Sequence, residues 1–266
     1  MIDIHCHILP AVDDGAGSLE EALSMARVAV ADGIRHMVAT PHQFDWDCQA
    51  LSAGVRELQR HLKASGIPLD LAYGVELRVS PDLMQRTGNE RGCTLNGSRY
   101  ILLELPLADY PLYTDEVIFA LQLRGLVPIL AHPERNLAIQ ADPDLLVKLG
   151  ERGVMGQLTA SSLLDGADRR TRATAEDLLV RGLVQVLATD GHDARHRAPR
   201  LSGAVDAAAR IVGRELAKAM VTSIPEAILA DQEIATQIPR PTKPVRRWRG
   251  PRLPWHPRID QSGTGN

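Results

Sequence analysis

Seven short apolar or β-branched runs alternate along the chain with stretches of helical period. Residues 1–4, 34–40, 69–77, 100–105, 127–131, 154–159 and 183–189 have the length and composition of strands. Residues 18–32, 48–64, 81–85, 114–124, 143–152, 169–181 and 201–212 repeat their apolar positions at the spacing of an amphipathic helix. Each strand is thus followed by a helix. Ser18 and Glu21 form a predicted capping box: Ser18 accepts from the amide three residues on, and the Glu21 side chain reaches back. Gly33, Gly66, Gly125, Gly153 and Gly182 stand where helices should end in a left-handed residue. Such alternation fits either a closed barrel or a doubly wound open sheet.

Composition narrows the class without choosing the fold. The 266 residues are 44% hydrophobic and 24% charged, which suits a globular protein and excludes disordered or collagenous chains. The start, MIDIHCHILP, lacks the basic and long apolar regions of a signal peptide, and no stretch is long and apolar enough to span a bilayer. The expectation is a cytoplasmic protein with no membrane insertion. Cys6, Cys48 and Cys93 are too few and too scattered for a disulfide framework or a zinc ribbon, so a reducing compartment fits. Net charge is −3, but residues 239–266 hold seven Lys/Arg against one acid, together with six prolines. That segment reads as an extended, mobile tail outside a domain of residues 1–238.

The positions of histidines and acids decide between barrel and open sheet. His5 and His7 follow the first strand, His42 the second, Glu76 ends the third, Glu104 the fourth, His132 follows the fifth, and Asp190 and His192 the seventh. An open sheet draws its site from a few strands at a switch point, whereas a barrel brings all C-terminal strand ends to one face. Ligand-type residues on six of seven units favour the barrel. In His5-Cys6-His7 the strand period of two turns both imidazoles to one side and Cys6 to the other. Mixed imidazole and carboxylate donors suit Zn²⁺, Fe²⁺ or Mn²⁺ rather than oxygen-seeking Mg²⁺ or Ca²⁺. Their number exceeds one tetrahedral shell and calls for two or three ions with bridging carboxylates. Arg135 and Arg197 fall at the same face, and guanidinium pairs clamp phosphate oxygens, so phosphate-ester hydrolysis is the indicated chemistry.

The segments MIDIHCHILPAVDDGAGS, VATPH, YGVEL, ILLELPLADYP, YTDEVIFALQLRGLVPILAHPERN, GQLTASSL and ATDGH together resemble the bacterial CpsB/YwqE-type protein-tyrosine phosphatases of the PHP (polymerase and histidinol phosphatase) superfamily. The resemblance runs from Met1 to about Gln237. It implies a distorted seven-stranded (β/α) barrel with a trinuclear site at the C-terminal strand ends, usually manganese, with iron or zinc as alternatives. It further implies action on phosphotyrosine of a bacterial tyrosine kinase that governs capsule or exopolysaccharide synthesis, and no nucleic-acid partner. By the motif match, His5, His7, Glu76 and Asp190 hold one ion; Glu76, Glu104 and His132 a second; Asp14, His42 and His192 a third. Arg135 and Arg197 match the phosphate-binding arginines. Asp14 enters only through the resemblance, since from the residues alone it reads as part of a turn. The tail has no counterpart in the family pattern, and no contacts carry over to the loop Gln43-Phe44-Asp45-Trp46.

The expected mechanism is in-line attack by a metal-activated water, with the arginines neutralising the phosphoryl oxygens and no covalent enzyme intermediate. A second phosphatase signature, Cys93-x5-Arg99, is set aside because a strand follows it where a phosphate loop needs a helix N-terminus. Three rivals remain: a histidinol phosphatase or general phosphomonoesterase with the same ligands, an amidohydrolase, and a non-catalytic scaffold. The amidohydrolase is disfavoured because Glu104 stands where a bridging lysine would be needed.

Overall fold

The computed structural model describes residues 1–42, 48–86 and 91–234. The basic tail from residue 239 and the loop 43–46 lie outside the described residues. The strands are β1 (Ile2–Cys6), β2 (His36–Ala39), β3 (Asp70–Tyr73), β4 (Glu76–Arg78), β5 (Tyr100–Glu104), β6 (Val127–Ala131), β7 (Met155–Thr159) and β8 (Val186–Ala188). The helices are α1 (Leu19–Ala31), α2 (Cys48–Ala64), α3 (Leu83–Arg86), α4 (Thr114–Leu123), α5 (Leu137–Ala141), α6 (Asp144–Glu151), α7 (Arg169–Val180), α8 (Ser202–Val212), α9 (Arg214–Ala219) and α10 (Ser223–Leu229). Short α5, α9 and α10 have no counterpart in the sequence reading. The five glycines expected to end helices all have positive φ.

All strand pairings are parallel, in one sheet of order β1-β2-β3 and another of order β4-β5-β6-β7-β8. This corrects the seven-strand expectation, because residues 69–77 do not form one strand. The chain breaks at Gly74, where a Cβ would stand 2.7 Å from the Leu95 side chain and 3.0 Å from that of Val38. Past the break, Glu76 N donates to Pro41 O at 3.2 Å, and His42 bridges Glu76 in parallel register. At the other seam Asp190 N donates to His5 O and His7 N to Gly191 O, both at 2.8 Å. The two sheets therefore meet at both seams through the backbone of the candidate ligands.

Alternation along the strands separates two cores. Met37, Leu103, Leu130, Leu158 and Leu187 pack with Met25 and Leu58 of the surrounding helices. Ile4, Val38, Leu102, Ile129, Met155 and Val186 form an inner cluster with Ile228 of α10. The C-terminal segment lies at the starts of the strands: Ile2 N donates to Val221 O, Arg99 N to Asp231 Oδ1, and the Tyr100 hydroxyl to Gln232 O. The candidate ligands stand at the other end.

One local irregularity aims the first pair of ligands. Asp3 lies opposite Met37 and Cys6 opposite Ala39, so β1 advances three residues while β2 advances two. An extra residue of this kind reverses the facing of everything beyond it. Ile4 therefore points into the inner core, His5 and His7 also point inward, and Cys6 joins the outer core.

Candidate metal centre

Glu104 and Asp190 continue the inward register of their strands. Glu104 follows Leu102, and Asp190 follows Val186 and Ala188, each two residues further along. At the ends of β6 and β8 the backbone turns sharply: His132 has φ 34° and Asp190 φ 51°, a region that L-residues seldom occupy. Strain of this kind, held by the surrounding hydrogen bonds, aims side chains at functional sites.

The structure brings all nine expected ligands together. His5 Nε2 and His7 Nε2 are 3.2 Å apart, and each is 3.3 Å from Glu76 Oε2 and 3.6 Å from Asp190 Oδ1. An ion held tetrahedrally at about 2.1 Å has ligand atoms about 3.4 Å apart, so this donor set fits a small divalent ion. Glu76 then extends the cluster, with Oε1 at 2.8 Å from His132 Nε2 and Oε2 at 3.2 Å from His42 Nδ1. Glu104 Oε1 is 3.9 Å from His132 Nε2. Asp14 Oδ1 lies 3.6 Å from His42 Nε2 and 3.4 Å from His192 Nε2. Among the described residues three groups have ligand atoms mutually within 4.8 Å: His5, His7 and Asp190; His42, Glu76 and Glu104; and His7, Asp14, His42 and His192. His42 thus touches two of the groups that the family pattern keeps apart.

Burial and charge act strongly on these groups. Burial pulls the His7 pKa down, but hydrogen bonds to Asp13 and Glu76 and their charges outweigh it and raise the value to about 10. His132 reaches about 9 in the same way, burial being overcome by Glu76. His192 moves to about 4, lowered by burial and by the positive charge of His7. Burial raises Glu76 and Asp190, yet the facing histidines hold both carboxyls below their ordinary range. Glu104 is raised by burial and by the charge of Glu76. Five histidines among several half-neutralised carboxylates are a cation site by composition, since divalent ions compensate such acids far better than protons do.

Both arginines arrive beside this cluster. Arg135 belongs to a 3-10 turn, Pro133–Arg135, that begins at His132, and its Nη1 donates to Asp190 Oδ2 at 2.5 Å. Arg197 Nη2 donates to the same oxygen at 2.7 Å. Asp190 therefore turns one oxygen to the histidines and the other to two guanidiniums that remain about a third exposed. The Arg197 loop is shaped by Asp193, whose carboxylate accepts from the amides of Arg195, His196 and Arg197. It is also held by Glu21 Oε1, which accepts from Ala194 N at 2.9 Å. The capping box is corrected here. Ser18 accepts from Glu21 N as expected, but the Glu21 side chain serves the Arg197 loop instead of its own helix start.

Sequence reasoning missed four residues around the cluster. Asp13 Oδ2 accepts from His7 Nδ1 at 2.7 Å and from His42 N at 2.9 Å, and its Oδ1 accepts from Gly15 N. Gln157 Oε1 accepts from His5 Nδ1 at 2.8 Å. Asp3 is fully buried and accepts from the amide and hydroxyl of Thr189, and burial lifts its pKa to about 6. Glu134 is buried and accepts from Thr159 N and the Ser162 hydroxyl. For Asp13 the available signal was the VDDG run itself, which marks a turn but does not say which acid faces which way. Gln157 gave no signal.

Neither Cys6 nor Cys93 offers a free catalytic thiolate. Cys6 is buried between Thr40 and Gly191, and its thiol is pushed well above the usual range by burial. Cys93 is disulfide-bonded, which corrects the expectation of reduced, unpaired cysteines: distance along the sequence does not bound distance in the fold. Its sulfur is therefore no free nucleophile. Arg99, the other half of that second signature, is bound to Asp231, and β5 follows the motif.

The chain is similar to known proteins along most of its length. Residues 1–230 match the family model described as capsular polysaccharide synthesis, CpsB/CapC. The chain is 38% identical over 247 residues to the tyrosine-protein phosphatase YwqE of Bacillus subtilis, covering 91% of this chain and 97% of that one. It is 32% identical to the putative tyrosine-protein phosphatase CapC of Staphylococcus aureus, over 94% of this chain and 99% of the relative. Among solved structures it is similar to the metal-dependent tyrosine phosphatases YwqE of Bacillus subtilis and CpsB of Streptococcus pneumoniae. The TM-score is 0.84 at 35% identity, covering 92% of this chain and 100% of the other. An organophosphorus hydrolase from Deinococcus radiodurans, at 13% identity and TM-score 0.54 over 86% of this chain and 92% of that one, shares the fold alone.

Proposed function

This chain belongs to the CpsB/CapC family of capsular polysaccharide synthesis, and from that premise we propose that it is a metal-dependent protein-tyrosine phosphatase. The observation that carries the reading is the meeting of two partly exposed guanidiniums, Arg135 and Arg197, on one oxygen of Asp190 while its other oxygen faces the histidines. Phosphate-binding groups and ion-binding groups thereby share a single carboxylate.

We read residues 1–238 as one domain whose two sheets make a distorted seven-unit barrel, with β3 and β4 as the halves of one broken strand. His5, His7, Glu76 and Asp190 would hold one ion; Glu76, Glu104 and His132 a second; Asp14, His42 and His192 a third. Manganese is our choice, with iron and zinc compatible with the same donors. When bound, the ions supply Lewis acidity and a nucleophile derived from water. Arg135 and Arg197 turn from Asp190 Oδ2 to the oxygens of the transferring phosphoryl group and neutralise charge as it develops there. A tyrosine leaving group, with a pKa near 10, needs less protonation than an alkyl alcohol. The natural substrate in this reading is a phosphotyrosyl protein, a bacterial tyrosine kinase of capsule or exopolysaccharide synthesis.

The test is phosphate release from a phosphotyrosyl peptide, a phosphoseryl peptide and histidinol phosphate, each with Mn²⁺ and then with chelator. Chelator-sensitive turnover confined to the phosphotyrosyl peptide is expected. Preference for histidinol phosphate would keep the site and overturn the substrate, and no metal-dependent turnover at all would make the chain a scaffold.

A further inference from the structure

We propose that Gln157 and Asp13 are positioning residues that fix the ring hydrogen of His5 and of His7 on Nδ1, so that both Nε2 lone pairs converge on one ion. The inference rests on the metal-centre part of the reading above and assigns a task to β7, a strand that supplies none of the nine expected ligands.

A neutral imidazole carries one hydrogen, and a ring binds a metal through Nε2 only if that hydrogen sits on Nδ1. His5 and His7 present Nε2 atoms 3.2 Å apart to the same pair of carboxylates, so a hydrogen left on either Nε2 would occupy the ion's position. Behind each ring stands a single acceptor: Gln157 Oε1 at 2.8 Å from His5 Nδ1 and Asp13 Oδ2 at 2.7 Å from His7 Nδ1. His5, His7 and Gln157 are fully buried, which leaves no solvent to take the acceptors' place. The Gln157 amide must face the ring through its oxygen. Turned over, its Nε2 would donate to Nδ1 and drive the ring hydrogen to the ion side. Among the described residues the Gln157 Nε2 has no hydrogen-bond partner, so the amide is not held by a bond on that side, and the demand of His5 orients it.

The two acceptors differ in charge, which makes the rings unequal. A carboxylate behind His7 raises the basicity of that ring above what an amide gives His5. Asp13 also accepts from His42 N and Gly15 N, so one carboxylate sets the His7 ring, the end of β2 and the turn that carries Asp14. Gln157 acts on His5 alone.

The experiment compares Gln157→Leu, Gln157→Glu, Asp13→Ala and Asp13→Asn with the unaltered chain. Zn²⁺ and Mn²⁺ affinities are read by competition with a chromophoric chelator, metal content by mass spectrometry, and ring hydrogens by long-range ¹H–¹⁵N spectra of the zinc-loaded protein. Gln157→Leu should weaken one ion about 10- to 100-fold, while Gln157→Glu, which can only accept, should restore binding. Asp13→Asn should bind more tightly than Asp13→Ala and more weakly than the unaltered chain. The spectra should place hydrogens on His5 Nδ1 and His7 Nδ1. Unchanged affinity in Gln157→Leu and Asp13→Ala, binding by Gln157→Glu as weak as that by Gln157→Leu, or a spectrum with either hydrogen on Nε2 would overturn the assignment. Should Gln157→Leu or Asp13→Ala fail to fold, Gln157→Glu, Asp13→Asn and the spectrum of the unaltered chain decide. A chain that binds its ions as described yet releases no phosphate from phosphotyrosine would refute the phosphatase reading and leave this one standing.

Discussion

Gly15 has no room for a methyl group: a Cβ there would stand 2.1 Å from the backbone oxygen of His7. That close approach folds the turn after β1 back on itself, with Ala16 N donating to His7 O, and it sets Asp13 behind His7 while Asp14 faces His42 and His192. Gly15→Ala should therefore cost about 2 kcal/mol in denaturant unfolding, the usual scale for overpacking, and reduce the metal bound per chain. Eight of the nine candidate ligands were legible from residue types because histidines and acids at strand ends stand out, whereas Asp14 came only through the family resemblance. Which of the two adjacent aspartates faces His42 and His192 was not legible from residue type, since only the turn tells them apart. At the arginines, Arg135→Ala and Arg197→Ala should each lower kcat/KM for a phosphotyrosyl peptide about 100-fold in steady-state assays. Lysine at either position should rescue little, because it lacks the planar fork.

Elements set these residues in place, and small features of an element decide whether it does so. The extra residue in β1 lets Ile4 and His5 both face inward; strict alternation would have put one of them outside. The first turn of α1 is tied to a segment 173 residues further along the chain, because Glu21 holds the loop of Arg197 through Ala194 N. Glu21→Ala should raise KM for phosphate esters several-fold while leaving metal content unchanged, as measured by steady-state kinetics beside metal analysis. Helix α7 shows a pH-dependent contribution away from the site. The Asp168 side chain accepts from Arg170 N and Thr171 N at the helix start, and those bonds hold its carboxyl below the usual 3.8. A depressed carboxyl stabilises the fold at pH values above its unfolded pKa, and the contribution disappears as pH falls through the folded value. Asp168→Ala should accordingly lower Tm at pH 7, and the gap from the unaltered chain should narrow as pH falls below the ordinary 3.8 of the carboxyl in thermal scans. The seven expected helices came through from sequence to within a few residues, because periodicity and capping are local, while the short α5, α9 and α10 did not. The bulge and the Glu21 contact depend on partners far along the chain.

The whole molecule is organised with packing at one end and chemistry at the other. Ile228 of α10 is fully buried in the inner cluster at the starts of the strands. Ile228→Ala should cost about 2–4 kcal/mol in denaturant unfolding while leaving metal affinity near that of the unaltered chain. At the site end, carboxylates and imidazoles are buried together, so ions that bind only the folded state should raise Tm, and a chelator should lower it reversibly in a calorimeter. The alternation of strand and helix, the five helix-ending glycines and the face that holds the chemistry were determined by the sequence alone. They follow from local periodicity and from the period of two that turns His5 and His7 the same way. Only the tertiary structure decided that residues 69–77 break at Gly74, that β1 carries an extra residue, that Glu21 leaves its own helix, and that Gln157 and Asp13 stand behind the histidines. Each of these depends on a contact between segments distant in sequence, and neither composition nor periodicity records such a contact.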